Sequence, residues 1–277
     1  MTKTRPETKA ELARFYDGDA RHYHEMHYIV KTEYTPLKQR QVYIEQMIRS
    51  LALPRGTRVL DVGCGPGQLM LNLLREGYNV TGIDISDGMV QEARALIRAN
   101  GLADDTRVAV GDIERLECRD GEFDVVVASG VIEYQNDDDV ALAELKRVLK
   151  PGGHLILNVT NRYSYLTISE NVYIGFKKLP GVRSAVSVVR GWIHGDRRVT
   201  DIPDHRVHSP GRFDEKLAEH GFRKVAHNFF RFSPLPVPLN SLFPSVCRSV
   251  GQWMERFTRG PLGYLGGGYI VLARRGE

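Results

Sequence analysis

A nine-residue run, V-L-D-V-G-C-G-P-G from Val59 to Gly67, constrains this chain more than any other feature. An apolar, β-branched stretch runs into Gly63, glycines alternate at 63, 65 and 67, and helical spacing follows over Gln68–Arg75. Glycine is required where a ligand comes too close to the backbone for a Cβ, or where a turn takes dihedrals that other residues avoid. The helix beyond such a turn presents unpaired N–H groups and the positive end of its dipole. This strand–turn–helix suits either a dinucleotide phosphate or an amino-acid carboxylate.

The neighbouring motifs separate those ligands. A dinucleotide fingerprint reads G-x-G-x-x-G, but position 68 is Gln, and the third glycine arrives one residue early, at Gly67. Twenty-one residues beyond Gly63 a second strand ends in Asp84 (GIDIS), where a carboxylate can accept both ribose hydroxyls of an adenosine. A further acid, Asp112, follows the third strand beside Ile113 (VGDIE). Such a pair can bind the adenine amino group and cover the ring, a provision that nicotinamide enzymes do not generally need.

The remaining pattern predicts an α/β fold with a doubly wound parallel sheet. Short, nearly all-apolar runs at Arg58–Val62, Val80–Asp84, Arg107–Val110, Phe123–Ala128 and His154–Val159 have the composition of strands buried on both faces. Helical spacing lies between them at Gln68–Arg75, Gly88–Asn100 and Asp138–Leu149, and Pro151-Gly152-Gly153 reads as a turn closing the last helix. Residues 1–56 are predicted to form an N-terminal helical cap of two helices, and residues 57–277 the main domain. Within it, 163–208 reads as an insertion after the fifth strand and a substrate lid. A helix from Ser209-Pro210 to His220, a strand Phe222–Phe232, a helix around Val246–Phe257 and a strand Gly268–Ala273 complete the chain.

Composition narrows the setting. No run approaches the roughly 18 apolar residues that span a bilayer, and the first residues have no signal-peptide pattern. Three scattered cysteines are too few for a disulfide framework or a zinc site, so the expected location is a reducing cytoplasm and no metal is expected. The formal charge of +4 is uneven: residues 59–161 carry 9 Lys/Arg against 18 Asp/Glu, and residues 163–277 carry 17 against 9. The basic C-terminal part suits an anionic acceptor or a peripheral membrane contact, and a plain solvated surface accounts for it equally.

The series VLDVGCGPG, GIDIS, GDIERL, FDVVVASGVIEY and ELKRVLKPGGHLIL resembles the class I S-adenosylmethionine (SAM)-dependent methyltransferases. The likeness is strongest to the small-molecule group that includes quinone-biosynthesis methyltransferases, and covers about 105 residues, Arg58 to Arg162. It implies a Rossmann-like, mostly parallel sheet of seven strands whose last strand, GYIVLAR, is antiparallel. The implied cofactor is SAM, with S-adenosylhomocysteine (SAH) as product. Gly63, Gly65 and Gly67 would line its methionine part, with Asp61 steadying the loop or the ammonium. Asp84 would hold the ribose. Ile85 and Met89 would flank the adenine, with Asp112 and Ile113 at its edge. Ala128 and Ser129 would meet the ammonium through the backbone, and Tyr23 would reach the carboxylate or substrate from the cap.

The chemistry asks little of side chains, because a nucleophile held in line can displace an already electrophilic methyl. A base is needed only for an acceptor hydroxyl. Related enzymes often place a histidine just after the fourth strand, where this chain has Glu133-Tyr134. The candidates for acid–base work are therefore Glu133, Tyr134, His24, His27 and His194, with His22, His205 and His208 also available. The SGVIEY segment lacks the proline–aromatic brace of nucleic-acid amine methylation, so no DNA partner is expected, and no RNA module is visible. Aromatic and basic residues of the insertion (Tyr163, Tyr165, Trp192, Arg197, Arg198) point to a bulky acceptor with an apolar body and an anionic or polar head. Three other readings remain: a non-catalytic SAM-binding partner protein, a NAD-dependent oxidoreductase on a similar sheet, and a SAM fold that does other chemistry on the cofactor, such as aminopropyl or carboxymethyl transfer.

Overall fold

A computed structural model describes residues 8–18, 20–25, 36–102, 107–169, 172, 205–235 and 243–277. Of the residues singled out from sequence, His27, His194 and most of the insertion, including Trp192, Arg197 and Arg198, lie outside these residues.

Seven strands form one sheet: β1 (Arg58–Val62), β2 (Asn79–Asp84), β3 (Arg107–Val110), β4 (Phe123–Ser129), β5 (Leu149–Thr160), β6 (Phe222–Phe230) and β7 (Gly268–Arg275). Their spatial order is β3-β2-β1-β4-β5-β7-β6. The strands β1 to β5 pair in parallel, and β7 runs antiparallel to both β5 and β6, as the resemblance implies.

Both faces of the sheet centre are covered, which is why an inner strand such as β4 is apolar at nearly every position. Along β4 the side chains alternate: Val126 and Ala128 join the core beneath helices α6 (Asp138–Val148) and α7 (Pro210–Glu219). Val125 and Val127 join the opposite core beneath α3 (Pro36–Ser50), α4 (Gln68–Arg75) and α5 (Asp87–Ala99). The helices supply matching stripes, Val90, Ala93 and Ile97 on α5 and Leu142, Leu145 and Val148 on α6. Burial of each leucine side chain on that stripe contributes about 1.5–3 kcal/mol.

Two expectations need correction. The first cap helix is broken at Gly18 into α1 (Lys9–Asp17) and α2 (Ala20–His24). A capping box between Thr8 and Glu11 starts α1, Gly18 caps its end, and Asp17 in the last turn points its carboxylate at the start of α5. The second is Pro151-Gly152-Gly153, which does not precede β5 but bulges within it. Leu149 pairs with Phe123 and His154 with Val125, so the residues between them face a single partner residue, Asp124. A Cβ on Gly153 would sit 2.9 Å from the Asp124 carbonyl oxygen, and Lys150 clamps the Asp124 carboxylate at 2.6 Å. The final helix is α8 (Pro244–Met254).

The cap is tied to the C-terminal edge of the parallel strands. Asp17 Oδ1 accepts from the Ser86 hydroxyl at 2.6 Å and from the Gly88 amide at 3.0 Å, while Ser86 itself caps α5. Lys9 reaches Asp112 at 2.5 Å and Glu114 at 2.6 Å, beyond the end of β3. The helices α1 and α2 therefore lie across the crevice at the topological switch between β1 and β4, the usual ligand position in open α/β sheets.

Candidate active site

The crevice is a cavity of about 420 Å³, within the range of small-molecule sites. Its floor is built by loops that leave the strand ends. The amides of Gly63 and Cys64 both donate to the Ile83 carbonyl, at 2.7 and 3.1 Å, which holds the β1 loop against β2. Asp84 then ties the two loops together: Oδ2 accepts from the Gly65 amide at 2.8 Å and Oδ1 from the Ser86 amide at 2.9 Å. Burial pushes the Asp84 carboxyl up, and these backbone donors oppose the rise.

The three glycines have different tasks. A Cβ on Gly65 would meet nothing within 4 Å and would project where φ is +53°, so this position is open to a ligand. Gly67 also has positive φ, but its Cβ would lie 2.9 Å from the Ala93 Cβ of α5. It serves helix packing and does not line the cavity. At Gly63 a Cβ would lie 2.1 Å from Val131 Cγ2, so its smallness admits the loop after β4.

Of the other residues singled out from sequence, Asp84, Ile85, Met89, Asp112, Ile113, Ser129, Glu133, Tyr134 and Tyr23 line the cavity with Gly63 and Gly65. Asp61 and Ala128 lie behind the wall, Ala128 fully buried in the core. Asp61 is buried too, and burial together with the nearby charge of Asp84 raises its carboxyl to about 7 against the opposing pull of Arg40. His24 is not among the cavity-lining residues: it is buried, and its Nδ1 lies 3.7 Å from Glu92 of α5, so it is not a solvated helix surface. Among the described residues no His/Cys/Asp/Glu cluster suits a metal ion.

Sequence reasoning missed Arg40, Asn158, Thr160 and Arg231, which line the cavity together with His205, already a candidate from sequence. Arg40 lies on α3, on the same face as Ile44 and Ile48, which pack into the core one and two turns further along. Arg231 follows β6 with φ +62°, an unusual conformation for a side chain of this size. His205 lies near the end of the insertion, where the chain returns to the end of β5. That return is pinned by His208 N→Thr160 O at 2.8 Å, Arg162 N→His208 O at 3.0 Å and Arg206 N→Glu133 O at 2.9 Å. Buried Asp138 completes the pin by receiving Arg206 and, at 3.2 Å, His208. Burial would raise the Asp138 carboxyl, but His208 and Arg206 hold it below the ordinary carboxylate range.

Residues 60–157 match the family model described as a methyltransferase domain. Over those residues the chain is similar to methyltransferase domains. Among curated proteins it is 39% identical over 199 residues to the S-adenosyl-L-methionine-dependent Diels-Alderase iccD of Talaromyces variabilis, covering 70% of this chain and 62% of that one. It is 37% identical over 123 residues to the ubiquinone biosynthesis O-methyltransferase of Alkalilimnicola ehrlichii, covering 43% and 47%. Among solved structures the [4+2]-cyclase SpnF superposes with a TM-score of 0.63 at 21% identity over 97% of this chain and 96% of that one, a likeness of fold. The chain thus spans about half to three-fifths of the length of the curated relatives it matches.

The residues present fit SAM. Gly65 offers an open backbone cradle, and Asp84 stands at the end of β2 with its carboxylate at the cavity. The buried Asn158 Oδ1 has no hydrogen-bond partner within the protein and stands on the cavity wall.

Proposed function

We propose that this protein binds SAM and transfers its methyl group to a small acceptor with a bulky apolar body and an anionic or polar head. The observation that carries the reading is the Asp84 carboxylate, which joins the Gly65 and Ser86 loops at the mouth of the cavity. In this reading Asp84 takes the ribose, Ile85 and Met89 flank the adenine, and Asp112 and Ile113 meet its edge. Gly63, Gly65 and the Ser129 backbone hold the methionine part, with Arg40 as the cation for its carboxylate. Tyr23 closes the site from α2. Residues 1–56 act as a cap, and 163–208 as a substrate lid.

SAM, when bound, supplies a sulfonium methyl. An acceptor O–H or C–H is replaced by O–CH3 or C–CH3, a proton is released, and the C–S electrons remain on sulfur as SAH forms. The protein's part is orientation and exclusion of water, which can supply about 7–11 kcal/mol of the barrier. Support for the apolar acceptor comes from the cavity lining, which includes Leu37, Val131, Val159 and Phe230 together with Arg231. Among the described residues no helix is long and apolar enough to cross a membrane. We place the protein in the cytoplasm, reaching lipid-soluble acceptors at most from a membrane surface.

The test is label transfer from methyl-labelled SAM into a host-cell extract, followed by organic–aqueous partition. Label in the organic phase supports the apolar acceptor, and label confined to the aqueous phase refutes it. The long match to a SAM-dependent Diels-Alderase gives a second reading, cycloaddition with the cofactor bound but unspent. It would be favoured by tight SAH binding with no transfer to any extract and by consumption of a conjugated polyene.

A further inference from the structure

The cap meets the main domain most closely at Gly88, the second residue of α5. A Cβ there would lie 3.0 Å from Asp17 Cα, 3.1 Å from the Asp17 carbonyl oxygen and 3.3 Å from Ala20 Cβ. The first two of these atoms are backbone and cannot rotate away. The φ of Gly88 lies outside the left-handed region, so this position needs glycine for space and not for its dihedral. The junction between α1 and α2 is thereby keyed into the start of α5.

The same contact completes the turn that carries the adenosine-side residues. A hydroxyl has one proton. Ser86 Oγ gives its proton to Asp17 Oδ1 at 2.6 Å and accepts from the Met89 amide at 3.1 Å, so the Asp17 carboxylate sets the direction in which Ser86 caps α5. The Gly88 amide donates to the same Oδ1 at 3.0 Å. Asp17 is thus a second acceptor at the positive end of α5, supplied from outside the helix. Ser86 also donates its amide to Asp84 Oδ1 at 2.9 Å. The turn bearing Asp84, Ile85 and Met89, all on the cavity wall, is held on one side by the cap.

A second anchor lies at the other end of α1. Lys9 Nζ stands 2.5 Å from Asp112 Oδ2 and 2.6 Å from Glu114 Oε2. Asp84 ends β2 and Asp112 follows β3, its neighbour in the sheet, so the two anchors flank the adenosine half of the cavity. Between them α1 presents Leu12 and Tyr16 to the cavity, and the Tyr16 hydroxyl meets that of Tyr134 at 3.3 Å.

We propose that α1 is a gate on the adenosine half of the site, with Asp17 and Lys9 as positioning residues. Docking of Asp17 sets the Asp84–Met89 turn for the cofactor, and cofactor exchange requires both anchors to release. The inference rests on the SAM reading above. The linkage is reciprocal: the docked cap strengthens cofactor binding by the same factor by which bound cofactor favours the docked cap.

Stopped-flow dissociation of SAH, together with amide hydrogen exchange of α1, tests the gate without any acceptor. SAH should slow exchange across α1 in the wild type. Gly88→Ala wedges the contact and Asp17→Ala removes its acceptor, and each should raise the SAH dissociation rate about tenfold or more. Asp17→Asn keeps an oxygen at the same point and should recover most of the wild-type rate. Lys9→Gln should speed dissociation about 2- to 5-fold and remove its dependence on salt, as for a partly exposed ion pair. Wild-type dissociation rates in both Gly88→Ala and Asp17→Ala, or α1 exchange that SAH does not slow, overturn the proposal. Absence of SAH binding by the wild type overturns the SAM reading and the gate with it, whereas wild-type binding with unaltered variants overturns the gate alone.

Discussion

Substituting alanine at Gly65 and at Gly67 separates ligand contact from packing, although both glycines belong to one motif. Each lies at positive φ, +53° and +82°, so either alanine carries a backbone penalty of about 1–2 kcal/mol. At Gly65 nothing else is added, because the new methyl meets no atom within 4 Å. At Gly67 the methyl would lie 2.9 Å from Ala93 Cβ and 3.1 Å from Ala93 Cα. The second of these atoms is α5 backbone and cannot rotate away, so overpacking adds about 1–3 kcal/mol. For a domain of this size each kcal/mol lowers Tm by about 2–4 °C. Gly67→Ala should therefore lose clearly more thermal stability than Gly65→Ala, by circular dichroism melting without ligand. Affinity should reverse the order: SAH titration by calorimetry should show Gly65→Ala impaired by at least tenfold and a still-folded Gly67→Ala impaired less. Wild-type SAH affinity in Gly65→Ala would remove the β1 loop from the ligand site and refute the reasoning.

Three further outcomes follow from the carboxylates. Asp84→Asn disturbs hydrogen bonds to a charged acceptor worth about 1.5–3 kcal/mol, so SAH affinity should fall about 10- to 150-fold; unchanged calorimetric affinity in a folded variant would exclude Asp84 from the site. Asp61 titrates at about 7 when folded and near about 3.9 when unfolded, so the folded chain holds the extra proton between these values and stability falls as pH rises from about 4 to about 7. Asp61→Asn should flatten that slope in a Tm-versus-pH series, and an unaltered slope would contradict the assignment. Asp138 has the opposite sign: its contribution is present above about pH 4 and is lost as pH falls through its depressed folded value. Asp138→Asn should cost about 3 kcal/mol near neutral pH by leaving Arg206 and His208 without their shared anion, and should lessen acid sensitivity; an unchanged melting curve would show that the return segment is pinned by backbone bonds alone.

Which parts of this site could be read from sequence follows from the range of the forces involved. The strands were legible because burial on both faces leaves a local mark, an unbroken apolar run such as FDVVVA, and Asp84 was legible because it ends such a run. The packing demand on Gly67 was not legible: it comes from Ala93, which lies 26 residues further on and gives no sign in the motif. The bulge at Lys150–Gly153 was hidden for a similar reason, since proline and two glycines mark a turn and an irregular strand equally well. Arg40, Arg231 and His205 enter the cavity through contacts made after the chain has folded around the sheet. His205 is the clearest case, because only the pairing of residues near His208 with Thr160 and Arg162 brings it back to Glu133.

Parallel titration of the purified protein with SAH and with NADH tests the central assignment most directly. Saturable SAH binding at one site per chain, with no heat or fluorescence change for NADH, is the expected result. Binding of NADH in preference to SAH, or of neither, would contradict the assignment of this cavity to SAM.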